Sequence, residues 1–234
     1  ARAQDFIRRG LVDVAGVTER RPSARIGADA SIRLSQAVCD HVSRGAVKLI
    51  AALEHFSFPI TGVVALDVGA STGGFTQVLL ERGAARVYAV DVGHAQLNAG
   101  LAADARVVVL EGCDARRLSR ELVPEPVGAV VADVSFISLM KALPVPLALT
   151  GSGAWLVALI KPQFEAGRAA VGKGGIVRDP MARRRAVDLV RNWVAGQPGW
   201  HVRAVIPSPI GGGSGNEEFL LGAVRDDKDP RSGN

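Results

Sequence analysis

From residue 62 onward, apolar residues come in short continuous runs set between stretches of helical spacing. The runs VVALDV (63–68), RVYAVDV (86–92), RVVVL (106–110), GAVVADV (128–134) and AWLVALI (154–160) are bounded by glycine or polar residues. A strand covered on both faces has such a run, whereas a strand with one solvated face alternates. Between the runs, helical periodicity predicts helices over 75–82, near 96–101, briefly after 134, and over 181–194. Strands alternating with helices predict an α/β fold with a mostly parallel sheet. The last two runs, 201–206 and 218–224, break this rhythm. They are joined by the turn-rich SPIGGGSGN, which has no room for a crossover helix, so the pair is predicted to be antiparallel.

The first third of the chain follows a different pattern. Ala3, Phe6 and Ile7 share one face of a helix that Gly10 is placed to end. Two strand-like runs, 11–17 and 30–34, flank a polar, arginine-rich segment. Over 44–55, the positions of Val47, Ile50, Ala51 and Leu53 predict an amphipathic helix, closed off by Pro59 and Gly62. The expected organisation is a small unit over 1–35, a linker and helix over 36–61, the α/β domain over 62–225 and a disordered tail over 226–234.

Composition narrows the choices. With 234 residues, 48% of them hydrophobic, the chain can fill one α/β domain and a small appendage. An excess of 28 basic over 23 acidic groups gives +5, which suits a polyanionic partner, nucleic acid ahead of an anionic membrane. Cys39 and Cys113 form no CxxC pair and no metal-type spacing, so neither a disulfide framework nor a metal site is expected. No apolar run approaches the ~20 residues of a membrane span. The opening ARAQDFIRRG lacks a secretory apolar stretch. The expectation is a cytoplasmic protein that makes no use of a membrane.

DVGASTGGFT, Asp67 to Thr76, lies where the first strand of the α/β domain hands over to a helix. Open α/β sheets bind ligands at such carboxyl ends. The loop matches neither the dinucleotide fingerprint GxGxxG nor a phosphate-cradling P-loop, which argues against NAD and nucleoside triphosphates. Asp67, Gly69, Ser71, Thr72, Gly73, Gly74 and Phe75 are its candidate cofactor contacts. Asp91 ends the second strand and is suited to accept hydrogen bonds from a ribose diol; Asp114, in EGCDAR, is suited to accept from an adenine amino group. Singly, each aspartate is as readily a helix cap or turn residue. Three at the ends of successive strands describe an adenosine site, and with the strand order they suggest the Rossmann-like sheet of the class I methyltransferases.

DVGASTGGFTQVLLERGA, VADVSFISL, KPQFEAGR, VGKGGIVRDP and SGNEEF, preceded by VSRGAVKL, resemble the TlyA (haemolysin A) family of FtsJ-like RNA methyltransferases over about residues 42–224. RRGLVDVAGV resembles the latter part of the small alpha-L RNA-binding domain that precedes the catalytic domain in this family, without that domain's opening helix. The resemblance implies S-adenosyl-L-methionine as cofactor and the ribose 2′-hydroxyl of cytidines in ribosomal RNA, within ribosomal subunits, as substrate. It also implies a catalytic set of Lys48, Asp133, Lys161 and Glu218, with Asp133 bordering the cofactor as well. Glu217 and Glu218 are strand neighbours that point to opposite faces, and the motif selects Glu218. Arg8, Arg9, Arg20, Arg21 and Arg44 are the candidate RNA contacts. The sequence departs from the family pattern at His94 and Ala95, where an aromatic residue and glycine are common, and at AVKL, which replaces GxKL.

A ribose hydroxyl is a poor nucleophile, so a base must take its proton as it attacks the methyl group. An ordinary lysine, with a pKa near ~10.4, is protonated at neutral pH; burial or a second nearby cation makes it a usable base. Lys161, directly after a predicted strand, is assigned that role. Asp133 and Glu218 would orient the two lysines, and Lys48 would hold the substrate. Other readings are a non-catalytic RNA-binding ribosome assembly factor, a membrane-lytic haemolysin and a small-molecule methyltransferase. A pure binder has no need of four charged residues in one pocket, and a small-molecule enzyme has no need of a basic start.

Overall fold

The structure, a computed structural model, describes residues 2–8, 10, 12–34, 41–212 and 215–226, with the backbone alone for Arg2, Asp5 and Arg8. The chain divides into two compact units, Ala1–Arg44 and Gly45–Asn234.

In the first unit, helix α1 (Arg2–Arg8) precedes strands β1 (Val12–Val14), β2 (Val17–Glu19) and β3 (Ile32–Leu34). Both β2 and β3 pair antiparallel with β1, giving the order β2-β1-β3. The 11–17 run does not form one strand. Ala15 (φ 51°) and Gly16 (φ 83°) are consecutive left-handed residues, the requirement of a two-residue hairpin, so the chain folds back and pairs Val14 with Val17.

The second unit opens with α2 (Gly45–Phe56), the expected helix carrying Lys48, which packs against the sheet of this unit. Five strands follow: β4 (Val64–Val68), β5 (Arg86–Asp91), β6 (Val107–Glu111), β7 (Val127–Ala132) and β8 (Thr150–Ile160). They are parallel, and β9 (Trp200–Pro207) and β10 (Phe219–Arg225) complete a seven-stranded sheet in the order β6-β5-β4-β7-β8-β10-β9. β10 lies antiparallel between β8 and β9, as the helix-free connection requires. This is a Rossmann-like class I methyltransferase sheet.

Alternate residues of the strands feed two cores. Leu66, Val68, Val90, Val130 and Leu156 face one side, where α8 (Pro180–Ala195) contributes Val190 and Val194. Ala65, Val87, Val131, Val157 and Leu159 face the other, covered by α2 and by α3 (Gly74–Glu81). At about 25 cal/mol per Å² of apolar surface removed from water, this double burial drives the fold. The buried stripe of α2 is Ala46, Lys48, Leu49, Ala52 and Leu53; of the expected positions Leu53 is in it, while Val47, Ile50 and Ala51 are only half-buried. The helix expected near 96–101 is the single turn α4 (Ala99–Ala102), because the Asn98 side chain accepts from Gly100 N at 2.9 Å and starts the helix there. Short helices α5 (Leu139–Ala142), α6 (Pro144–Ala148) and α7 (Pro162–Glu165) follow β7 and β8. The expected tail begins at Asp226; its remaining residues, 227–234, lie outside the described residues.

Candidate active site

A cavity of about 1200 Å³ opens at the carboxyl ends of the parallel strands. Its lining follows the strand order, from Asp114 after β6 through Asp91, Gly69 and Asp133 to Phe164 and Arg168 after β8.

The glycine loop divides into a ligand-facing part and a supporting part. Gly69 and Ser71 line the cavity. Gly69 has φ +85°, and a Cβ there would lie 2.7 Å from Asp133 O, so only glycine fits between these two strand ends. Thr72 is exposed, Gly73 and Gly74 are buried, and the Phe75 ring packs into the core with Val78 and Leu79. Asp67 is fully buried and accepts from Thr76 Oγ1 at 2.7 Å. Burial pushes its carboxyl up to about 7, and its Oδ1 has no hydrogen-bond partner. Thus Asp67 and Phe75, expected as cofactor contacts, sit beneath the loop and do not line the cavity.

Asp91 lines the cavity with one hydrogen bond on each carboxylate oxygen: Ser71 N donates to Oδ2 and Gly93 N to Oδ1, both at 2.8 Å. Each oxygen keeps a lone pair for a hydroxyl donor. Asp114 caps the 3₁₀ turn Ala115–Arg117 by accepting from Arg116 N. The Arg116 guanidinium is also bound to its carboxylate and holds that group down at about 2. Asp114 therefore combines a capping role with its place in the cavity wall.

The four residues of the expected catalytic set form two ion pairs. Lys48 Nζ lies 2.5 Å from Glu218 Oε2. Lys161 Nζ lies 2.6 Å from Asp133 Oδ1 and donates to Ser135 Oγ at 2.9 Å. The Lys161–Asp133 contact is a charge contact without hydrogen-bond alignment, which accounts for Asp133 Oδ1 having an ionic neighbour and no hydrogen bond. Lys48, Lys161 and Glu218 are buried and Asp133 is partly exposed, where it borders the cavity. The β8–β10 register joins the two pairs. Ile160 faces Phe219, so one step beyond the ladder Lys161 faces Glu218. The antiparallel sense of β10 brings its start to the edge where the parallel strands end. Glu217 turns the other way and pairs with Arg183 at 3.3 Å.

Two carboxylates escaped the sequence reading. Glu165, buried on α7, accepts from Ser138 Oγ at 2.6 Å and Leu139 N at 2.8 Å, and burial pushes its carboxyl up. It ties the chain after Lys161 to the loop after Asp133. Glu111, at the end of β6, accepts from three successive backbone amides. The first stands in the motif KPQFE; the second carries no side-chain signal in the sequence.

Residues 41–225 match the family model of the FtsJ-like methyltransferases. The chain is 45% identical to the 16S/23S rRNA (cytidine-2′-O)-methyltransferase TlyA of Mycobacterium tuberculosis, over 94% of this chain and 82% of that one. The chain belongs to the TlyA family of FtsJ-like methyltransferases. It is also 40% identical to Hemolysin A of Brachyspira hyodysenteriae, over 94% of this chain and 91% of that protein. Among solved structures, a hemolysin-named protein from Streptococcus thermophilus superposes with a TM-score of 0.79 at 36% identity, covering 97% of this chain and 83% of that one. Among the described residues of this TlyA-family chain, no helix is long and apolar enough to cross a membrane. Of the expected RNA contacts, Arg20 and Arg21 are exposed and Arg21 pairs with Glu19 at 3.2 Å. Arg44 is half-buried, Arg8 is described by its backbone alone, and Arg9 lies outside the described residues.

Proposed function

We propose that this chain transfers a methyl group from S-adenosyl-L-methionine to a ribose 2′-hydroxyl, of cytidine, in the ribosomal RNA of ribosomal subunits. The observation that carries the reading is the pairing of Lys161 with Asp133, which lines the cavity that Gly69 and Asp91 border, and of Lys48 with Glu218, which faces Lys161 across β8 and β10. Lys48, Lys161 and Glu218 are buried and do not themselves line the cavity. The name of the Mycobacterium tuberculosis relative, an rRNA (cytidine-2′-O)-methyltransferase, supports the choice of substrate.

The donor set fits the cofactor. Asp91 offers carboxylate lone pairs to a ribose diol, and the space above Gly69 lets backbone approach a ligand closely. When bound, the cofactor supplies a methyl group activated on a sulfonium. In the proposed chemistry, Lys161 in its uncharged form would take the proton of the 2′-hydroxyl, and the Asp133 carboxylate would hold the ammonium that results, the ion pair seen in the structure being the state after that transfer. Lys48, fixed by Glu218, steadies the substrate beside it. A buried lysine with a single carboxylate neighbour keeps its Nζ in one place, and a reacting geometry needs that fixity.

The test is transfer of labelled methyl from cofactor to isolated ribosomal subunits, to free rRNA and to free nucleosides. Label appearing in subunit rRNA as 2′-O-methylcytidine, and lost in Lys161→Ala with cofactor binding intact, is the expected result. Label on nucleosides alone would replace the reading by a small-molecule methyltransferase. Subunit binding without any transfer would replace it by an assembly factor.

A further inference from the structure

Glu111 occupies an unusual position for a surface carboxylate. Its Oε2 accepts from Ala95 N at 2.6 Å, and its Oε1 accepts from Gln96 N at 2.7 Å and Leu97 N at 2.9 Å. Three consecutive amides thus converge on one side chain and form an anion-holding backbone concavity whose anion is the protein's own. The amides draw the carboxyl below its ordinary range, with Leu97 N and Gln96 N the main causes, so the group stays ionised at neutral pH.

The loop it holds, residues 92–98, is a wall of the cavity. Val92 and Gln96 line it. At its start, Gly93 N donates to Asp91 Oδ1 at 2.8 Å, and Gly93 O accepts from Gly112 N at 2.8 Å. At its end, Leu97 packs over the glycine loop, with its Cδ1 only 2.8 Å from where a Cβ on Gly73 would stand, and Asn98 N donates to Thr72 O at 3.3 Å. The loop therefore joins Asp91 to the glycine loop. Its conformation is not one the chain adopts freely, since Ala95 sits at φ 52°, where a Cβ is strained. No helix or strand holds 92–98, and α4 begins only at Ala99.

We infer that Glu111 is a positioning residue for the cofactor: by collecting the amides of residues 95–97 it holds the 92–98 loop, and through it Asp91, in the arrangement that receives the adenosine. Glu111 does not line the cavity and acts through the loop. The inference rests on the cofactor reading above. It also makes Ala95 and Glu111 a matched pair, the carboxylate offsetting the strain that alanine places in the loop.

The experiment uses the full chain and its Glu111→Gln, Ala95→Gly and double variants. Two quantities are read: hydrogen exchange of the amides of residues 95–97 without ligand, and calorimetric affinity for S-adenosyl-L-methionine and S-adenosylhomocysteine. Glutamine presents one acceptor oxygen where glutamate presents two, so Glu111→Gln should speed exchange at 95–97 while the amides of β4 and β5 keep their protection. Affinity for both ligands should fall about tenfold to hundredfold, the value of a charged hydrogen bond. Ala95→Gly in the Glu111→Gln background should recover about threefold to tenfold, because glycine is unstrained at that φ. Unchanged exchange in Glu111→Gln, or faster exchange with unchanged affinity, overturns the positioning role. A wild-type chain that binds neither ligand overturns it too, and then the exchange data separate the cause: the loop is held, and the cofactor reading has failed.

Discussion

Lys48 Nζ and Glu218 Oε2 stand 2.5 Å apart across 170 positions of sequence, one on the first turns of α2 and the other at the threshold of β10. Both side chains are almost wholly shielded from water, so neither charge can be left alone without cost. Replacing one partner of a buried pair typically costs about 3–5 kcal/mol, whereas replacing both with apolar residues of similar size is often neutral. Lys48→Met and Glu218→Leu should each lower stability strongly in urea unfolding, and the double variant should regain most of the loss. All three should be inactive in methyl transfer. Equal and additive losses would mean that the two charges are not coupled.

Asp91→Ala should weaken S-adenosyl-L-methionine binding about tenfold to hundredfold, since a hydrogen bond to a charged group is worth about 1.5–3 kcal/mol. The substitution also releases Ser71 N and Gly93 N, so the effect should lie toward the upper end. Calorimetry reads it directly, and an unchanged affinity would move the ribose site elsewhere.

Asp67 makes stability depend on pH. Its folded carboxyl titrates at about 7 against an ordinary value of 3.8, so the native state binds a proton more tightly than the unfolded chain. Between roughly pH 4 and pH 7 the native state therefore holds more protons, and stability falls as pH rises through that window. The loss is on the order of a few kcal/mol. Asn at this position still accepts from Thr76 and carries no charge. Asp67→Asn should therefore flatten the decline, which melting temperatures from pH 5 to pH 8 will show as a smaller drop than in the parent chain.

The exposed arginines of the first unit test the proposed RNA substrate. Arg20, Arg25 and Arg33 are solvent-facing, and arginine suits phosphate contacts that position a protein without reading bases. Replacing all three with glutamine should weaken binding to ribosomal subunits and flatten its salt dependence. The log–log slope should fall by about 0.7–0.9 for each phosphate that is no longer neutralised. Cofactor affinity should not change. An identical salt slope would exclude these three side chains from the interface.

The parallel sheet was legible because strands buried on both faces must be continuously apolar, and the antiparallel pair because a glycine-rich link cannot hold a helix. The face of α2 was not legible. Periodicity treats lysine as a solvent-facing residue, yet Lys48 lies in the buried stripe with Ala46 and Leu49, neutralised by a carboxylate far along the chain. Glu111 was hidden for another reason. Its partners are backbone amides, which every residue but proline possesses, so no pattern of side chains announces them. Phe75 illustrates a third case: its place in a glycine motif suggests a ligand, and the first turn of α3 buries its ring with Val78 and Leu79.

The 2.7 Å gap between a hypothetical Cβ at Gly69 and the carbonyl oxygen of Asp133 has a consequence for how such an enzyme can change. The peptide proposed to receive the cofactor and the peptide that carries the partner of Lys161 approach each other through backbone atoms, so neither can take a larger residue at Gly69 without a shift of the other. Evolution cannot widen one without tilting the other, and an engineer seeking room for bulkier cofactor analogues meets the same coupling. The cavity wall opposite is lined by Gln96 and Ser71, whose backbone amides, and not their side chains, make the bonds to Glu111 and Asp91, so side-chain variation there leaves those bonds in place. If both proposed roles hold, Gly69 is the point at which a change in one is felt by the other.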